Sequence, residues 1–151
     1  MRLAALVLLL AGCAGCAWRL AAPAGLDEVL AVRVVADRGR LPLAGAEVQQ
    51  AVAEAVPRRT GWILRGDGSA RLDLTIDRDE FAAPADDARG VAVRWSYRID
   101  ATALLVTRDG VRTWRGSGTG YAGARAEEHA ALRDAARDLA DRLARWLAEP
   151  R

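Results

Sequence analysis

Residues 91–114 read VAVRWSYRIDATALLVTRDGVRTW, and the fold follows from how that stretch is patterned. Val91, Val93, Trp95, Tyr97, Ile99, Ala101, Ala103 and Leu105 share one face of an extended chain, whereas Arg94, Ser96, Arg98, Asp100 and Thr102 share the other. A period of two describes a strand with one covered face and one wet face. Asp109-Gly110 then supplies a two-residue hairpin turn into Val111-Arg112-Thr113-Trp114, so these two strands are expected to be antiparallel neighbours. A sheet with a single apolar face requires a second layer to cover it.

Outward from this hairpin, both flanks supply that layer. Downstream, Ala126 to Leu147 reads as a helix, with Leu132, Ala136, Leu139, Leu143, Trp146 and Leu147 as its apolar stripe and Asp138–Arg142 and Asp141–Arg145 as i,i+4 pairs. Glu127 and Glu128 suit its positive N-terminal end. Upstream, Leu43 to Val56 is a second helix whose buried face is Val48, Ala51, Val52, Ala55 and Val56, with Pro57 expected to stop it. Three further runs read as strands: the β-branched Val29 to Val35, a short Trp62-Ile63-Leu64, and Arg71 to Asp77, where Leu72, Leu74 and Ile76 alternate with charges. After Phe81, residues Ala82 to Gly90 read as a loop because of Pro84, Asp86, Asp87 and Gly90. The expected class is α+β: a two-layer sandwich of two helices packed on one face of a roughly four-stranded mixed sheet.

Composition narrows the function classes. The basic side is 22 residues, all of them Arg, against 20 acids, so the formal charge of +2 makes no blanket case for nucleic acid. With one His, His129, and two Cys, Cys13 and Cys16, neither a His- or Cys-rich metal site nor a disulfide framework is expected, and no cofactor is implied. The Asp and Glu residues on strands alternate with apolar residues as surface charges do, and no Ser-His-Asp or Cys-His set can be assembled, so the protein is expected not to be an enzyme. Gly116-Ser117-Gly118-Thr119-Gly120 lacks the Lys of a phosphate-binding loop and is read as a flexible strand end near the sheet edge. His129 is read as a surface residue.

The N-terminus reads as an export address. Arg2 is a minimal positive region, Leu3 to Leu10 an apolar one, and Leu10-Ala11-Gly12-Cys13 resembles the bacterial lipobox, in which the Cys thiol receives a diacylglycerol before cleavage. Residues 1–12 are thus a lipoprotein signal peptide, 13–27 a lipidated tether with Pro23 and Gly25, and 28–148 the folded domain. Cys13 is the preferred lipid attachment site, with Cys16 the alternative. Two or three acyl chains at about 0.8 kcal/mol per methylene would hold the protein on a membrane. Because Ala14 rather than Asp follows Cys13, an outer-membrane location facing the periplasm is expected.

The whole succession resembles the LptE-like family of lipopolysaccharide-assembly lipoproteins. Cys16-Ala17-Trp18-Arg19-Leu20 is similar to the family's opening Cys-Gly-aromatic-x-Leu, with Ala17 in place of Gly. The likeness continues through the first strand, the helix ending near Pro57, Leu72-Asp73-Leu74, Tyr97-Arg98-Ile99-Asp100, the Asp109-Gly110 hairpin and the final helix. It departs at Asp37-Arg38, where the family often has Asn, and its first Cys corresponds to Cys16, which keeps the anchor open between the two cysteines. The resemblance implies a non-enzymatic protein that plugs and helps assemble an outer-membrane β-barrel of the LptD kind and contacts lipopolysaccharide. It also implies basic ligand contacts in the loop between two core strands and just before the last helix, which here match Arg89 and Arg125. Arg94 and Arg98 on the wet sheet face are the next candidates, and each of these arginines has an ordinary surface charge as its plain alternative. The same address and domain would also serve an accessory subunit of a lipid transporter or an activator of a peptidoglycan synthase.

Overall fold

A computed structural model of the chain describes residues 29–86 and 92–149. Five strands form one mixed sheet: β1 (Val29–Asp37), β2 (Ile63–Leu64), β3 (Ala70–Asp86), β4 (Ala92–Thr107) and β5 (Gly110–Ala122), in the spatial order β2-β1-β3-β4-β5. Helix α1 (Ala44–Thr60) follows β1, and α2 (Glu128–Ala148) closes the described chain after a 3₁₀ turn at Arg125–Glu127. This is the α+β two-layer sandwich expected from the sequence, with both helices on one face.

β1 runs parallel to both β2 and β3, whereas β3–β4 and β4–β5 are antiparallel. Parallel neighbours cannot be joined by a tight turn, and α1 is the crossover that returns the chain to the same end of the sheet. The β4–β5 hairpin closes at Thr107 opposite Gly110, so its two turn residues are Arg108 and Asp109 rather than Asp109 and Gly110, and Gly110, the first residue of β5, takes a φ of 140°. The core lies between sheet and helices. Leu30, Leu72, Leu74, Ile76, Tyr97, Ile99 and Leu105 meet Val48, Val52 and Val56 of α1 and Leu132, Leu139 and Leu143 of α2, all fully buried.

Several boundaries differ from the sequence reading. Pro57 does not stop α1: the helix continues to Thr60 and ends at Gly61, whose φ of 73° is the left-handed conformation that terminates helices. Thr60 ties this end together, its hydroxyl donating to the Val56 carbonyl at 2.7 Å and accepting from the Trp62 amide at 3.1 Å. The expected loop from Ala82 is largely strand, since β3 pairs with β4 as far as Asp86 opposite Ala92. Pro84 falls between Ala82 and Ala85, where the register shifts, so its missing amide breaks no regular ladder. The last helix begins two residues later than Ala126, the first turn being 3₁₀.

Gly116 to Gly120 is not a loose end. The segment is continuous β5, and Gly118 and Gly120 are buried beneath α2. A Cβ at Gly118 would stand 2.1 Å from the Ala135 carbonyl oxygen, and one at Gly120 would stand 2.0 Å from that of Ala131. The two glycines let a helix and an edge strand approach backbone to backbone. Asp138 of α2 adds an acceptor for the Thr119 amide at 3.0 Å.

Candidate functional site

The strict alternation of β3 breaks after Ile76. Between Ile76 and Arg78 the register slips against β4, which turns both Asp77 and Arg78 outward and brings Asp79 onto the core face. Asp79 is only 7% exposed. Its carboxylate accepts the Tyr97 hydroxyl and the amides of Arg40 and Leu41, the last at 3.4 Å. Asp37, at the end of β1, accepts the Gly39 amide at 2.9 Å and the Gly45 amide at 2.8 Å. Two carboxylates thereby fix the crossover loop and the start of α1 to the sheet, and Arg40 reaches on to Glu128 at the start of α2. Burial, reinforced by the hydrogen bond to Asp79, pushes the Tyr97 hydroxyl far above its ordinary pKa.

Next to this latch the β4–β5 ladder ends in aromatic residues. Trp95 lies opposite Ala122 and Ser96 opposite Tyr121. On the helix side, Phe81 stacks on Trp95 with centroids 5.1 Å apart, and the Arg125 guanidinium lies 5.8 Å from the Trp95 ring. On the other side, Arg94 sits over the Tyr121 ring at 3.6 Å. Two exposed arginines at one end of the sheet are therefore positioned by ring faces, and neither has an ion-pair partner among the described residues.

The face of the sheet away from the helices is tiled with ion pairs. Arg71 meets Asp73 at 2.8 Å, Arg78 meets Glu80 at 2.5 Å and Arg98 meets Asp100 at 2.9 Å, while Thr102 donates to Asp77 at 2.7 Å. Each Arg–acid pair joins residues i and i+2 of one strand. That signal stood in the sequence as Arg-x-Asp or Arg-x-Glu, because alternate residues share a face. It separates the candidate arginines: Arg98 is paired with Asp100, whereas Arg94 has no ion-pair partner among the described residues.

The structure thus gathers Arg94 and Arg125 at one end, on opposite faces of the sheet, and leaves Arg98 further along β4. Arg89 and the two candidate anchors, Cys13 and Cys16, lie outside the described residues. Of the pairs expected along α2, Asp138–Arg142 forms at 3.0 Å, but Asp141 turns to Arg59 of α1 at 3.2 Å and Arg145 bonds the Asp141 carbonyl instead. His129 is an exposed residue, with Nε2 3.4 Å from Glu47 across the two helices.

No protein-family model matches the chain, and no curated protein matches it in sequence. Solved structures share its fold. It is similar to a DUF330 protein from Xanthomonas campestris (13% identity, TM-score 0.55, 80% of this chain and 84% of that one). It is also similar to the rare lipoprotein B from Shewanella oneidensis (12%, 0.53, 78% and 93%). A third similar structure is a point variant of PelC from Paraburkholderia phytofirmans, a dodecamer (15%, 0.50, 77% and 88%). At 12–15% identity these likenesses are ones of fold, and the two-layer domain described here is the fold that the rare lipoprotein B also has.

Proposed function

We propose that this chain is a lipid-anchored, periplasm-facing protein of the outer membrane that plugs and helps assemble a β-barrel lipopolysaccharide translocon and contacts lipopolysaccharide during its delivery, without catalysing a reaction. The observation that carries this reading is the uncovered sheet face, a broad surface of polar side chains and internally neutralised ion pairs. A barrel interior is hydrophilic, and a face on which Arg71, Arg78 and Arg98 are already paired can enter it without stranding those three charges. The lipobox at Cys13 supports the anchor, and the fold held in common with the rare lipoprotein B is in keeping with an envelope lipoprotein. Arg94 and Arg125, held on ring faces, supply forks suited to the phosphates and acidic sugars of the ligand.

Affinity purification of the tagged protein from detergent-extracted membranes tests this. A plug buries an interface of obligate size, above ~2,000 Å², so a stoichiometric β-barrel protein is expected to remain bound through size-exclusion chromatography. Recovery of the chain alone, of a ring of its own copies, or of a peptidoglycan synthase or inner-membrane transporter in place of a barrel would reject the reading.

A further inference from the structure

A second basic site lies at the opposite end of the sheet, roughly 40 Å from Arg94 as the rise per residue along β4 counts it. There Arg33 of β1, Arg71 of β3 and Arg108 of the β4–β5 turn line one open cleft of about 400 Å³ together with the turn Gly66–Ser69. Asp67 is the one acid lining it. The wall is built rather than incidental. A Cβ at Gly68 would stand 2.4 Å from the Val29 carbonyl oxygen and 2.5 Å from the Ala31 amide, so only glycine lets this turn rest on the start of β1.

The three guanidiniums differ in how free they are. Asp73 engages Arg71 through Nε and leaves its two terminal nitrogens for a ligand, while orienting the fork. Arg33 and Arg108 have no ion-pair partner among the described residues. Three arginines set against Asp67 in the lining and Asp73 beside Arg71 leave one positive charge in surplus and planar donor forks in a shared cleft, the arrangement that recognises a phosphate group. Beside it on the same face, Val111 is 61% exposed, so the rim joins charged and apolar surface.

We propose that the Arg33–Arg71–Arg108 cleft binds a phosphate group, carried either by a phospholipid headgroup or by a soluble phosphate. This site is separate from Arg94 and Arg125 and does not depend on the translocon reading.

Phosphorus NMR of the full-length chain in dodecyl maltoside micelles tests it, with inorganic pyrophosphate in one arm and micelles doped with phosphatidylglycerol in the other. Saturable broadening is expected in at least one arm. Response to pyrophosphate identifies a soluble phosphate as sufficient, and response confined to the doped micelles identifies the headgroup. Arg33→Gln with Arg108→Gln is expected to weaken the responding arm roughly tenfold or more, as loss of two charge-assisted contacts does. Arg58→Gln with Arg137→Gln, two exposed arginines of the helix layer, should leave it as in the parent. Should the first double variant misfold, Arg108→Gln alone, at the hairpin tip, gives the same reading with a smaller loss. Absence of broadening in both arms, or an equal loss in the Arg58/Arg137 variant, overturns the proposal.

Discussion

Gly120 of β5 lies so close beneath Ala131 of α2 that a Cβ on the glycine would stand 2.0 Å from the helix carbonyl. At Gly118 the neighbour is the Ala135 carbonyl at 2.1 Å, one helical turn further on. These neighbours are backbone atoms, which cannot swing aside as a side-chain tip can. Gly120→Ala is therefore expected to push α2 off the sheet and to destabilise the protein by about 1–3 kcal/mol, as overpacking does. Thermal unfolding checks this, at about 4–8 °C per kcal/mol for a domain near a hundred residues. Gly66→Ala, where a Cβ would meet nothing within 4 Å, is the control.

Asp79 accepts one hydroxyl and two amides from a nearly closed position. Asp79→Asn presents an amide donor to at least one of those donors, and a loss of about 1–3 kcal/mol in chemical denaturation is expected. Tyr97→Phe removes one donor and should cost less, because the carboxylate keeps the Arg40 and Leu41 amides.

The same pair sets an alkaline limit. Burial raises the Tyr97 pKa in the folded state above its unfolded value of about 10, so the fold holds the phenolic proton more tightly than the unfolded chain does. The stability that follows is complete below about pH 10 and is lost as pH rises towards the folded value. Denaturation curves near neutrality and at about pH 11 should show this loss in the parent and a smaller one in Tyr97→Phe.

For the ligand contacts, Arg89→Asp with Arg125→Asp is expected to weaken lipopolysaccharide binding while the circular dichroism spectrum and the barrel complex stay as in the parent. Each charge-assisted contact is worth roughly 1.5–3 kcal/mol where water is partly excluded. Unchanged binding by this variant would move the assignment to Arg94, whose guanidinium already rests on Tyr121, ahead of the ion-paired Arg98.

Metabolic labelling with a palmitate analogue tests the anchor. Cys13→Ser is expected to abolish the label and to leave the precursor uncleaved. Label retained in that variant and lost in Cys16→Ser would transfer the anchor to Cys16.

What the sequence reveals and what it hides separate along physical lines. The buried faces of both helices and of β3 and β4 follow from periodicity alone: Val48, Val52, Leu132, Leu139, Leu72 and Ile99 are all fully buried. Asp79 is hidden because the slip after Ile76 shifts the phase of β3 by one residue, and a single bulge leaves no periodic trace. Pro84 misleads because a proline marks a broken ladder, and a broken ladder is a register shift as readily as a loop. Gly118 and Gly120 mislead in the opposite sense, since composition does not tell a glycine chosen for looseness from one chosen for close approach. Arg94 and Arg125 meet Tyr121 and Trp95 only through the fold, whereas Arg98–Asp100 could have been read from alternation.

The strand order β2-β1-β3 places the first-made strand between two later ones. Leu30 waits for Ala70, and Val32 and Val34 wait for Leu72 and Leu74, about forty residues downstream. The β3–β4–β5 meander and α2, by contrast, are neighbours along the chain and in space. Closing long segments slows the pairing of β1, so its apolar edge stays open while the C-terminal half can already assemble. For a chain that crosses a membrane unfolded, this interval is when a holding chaperone would matter most. The N-terminal third is the portion it would need to shield.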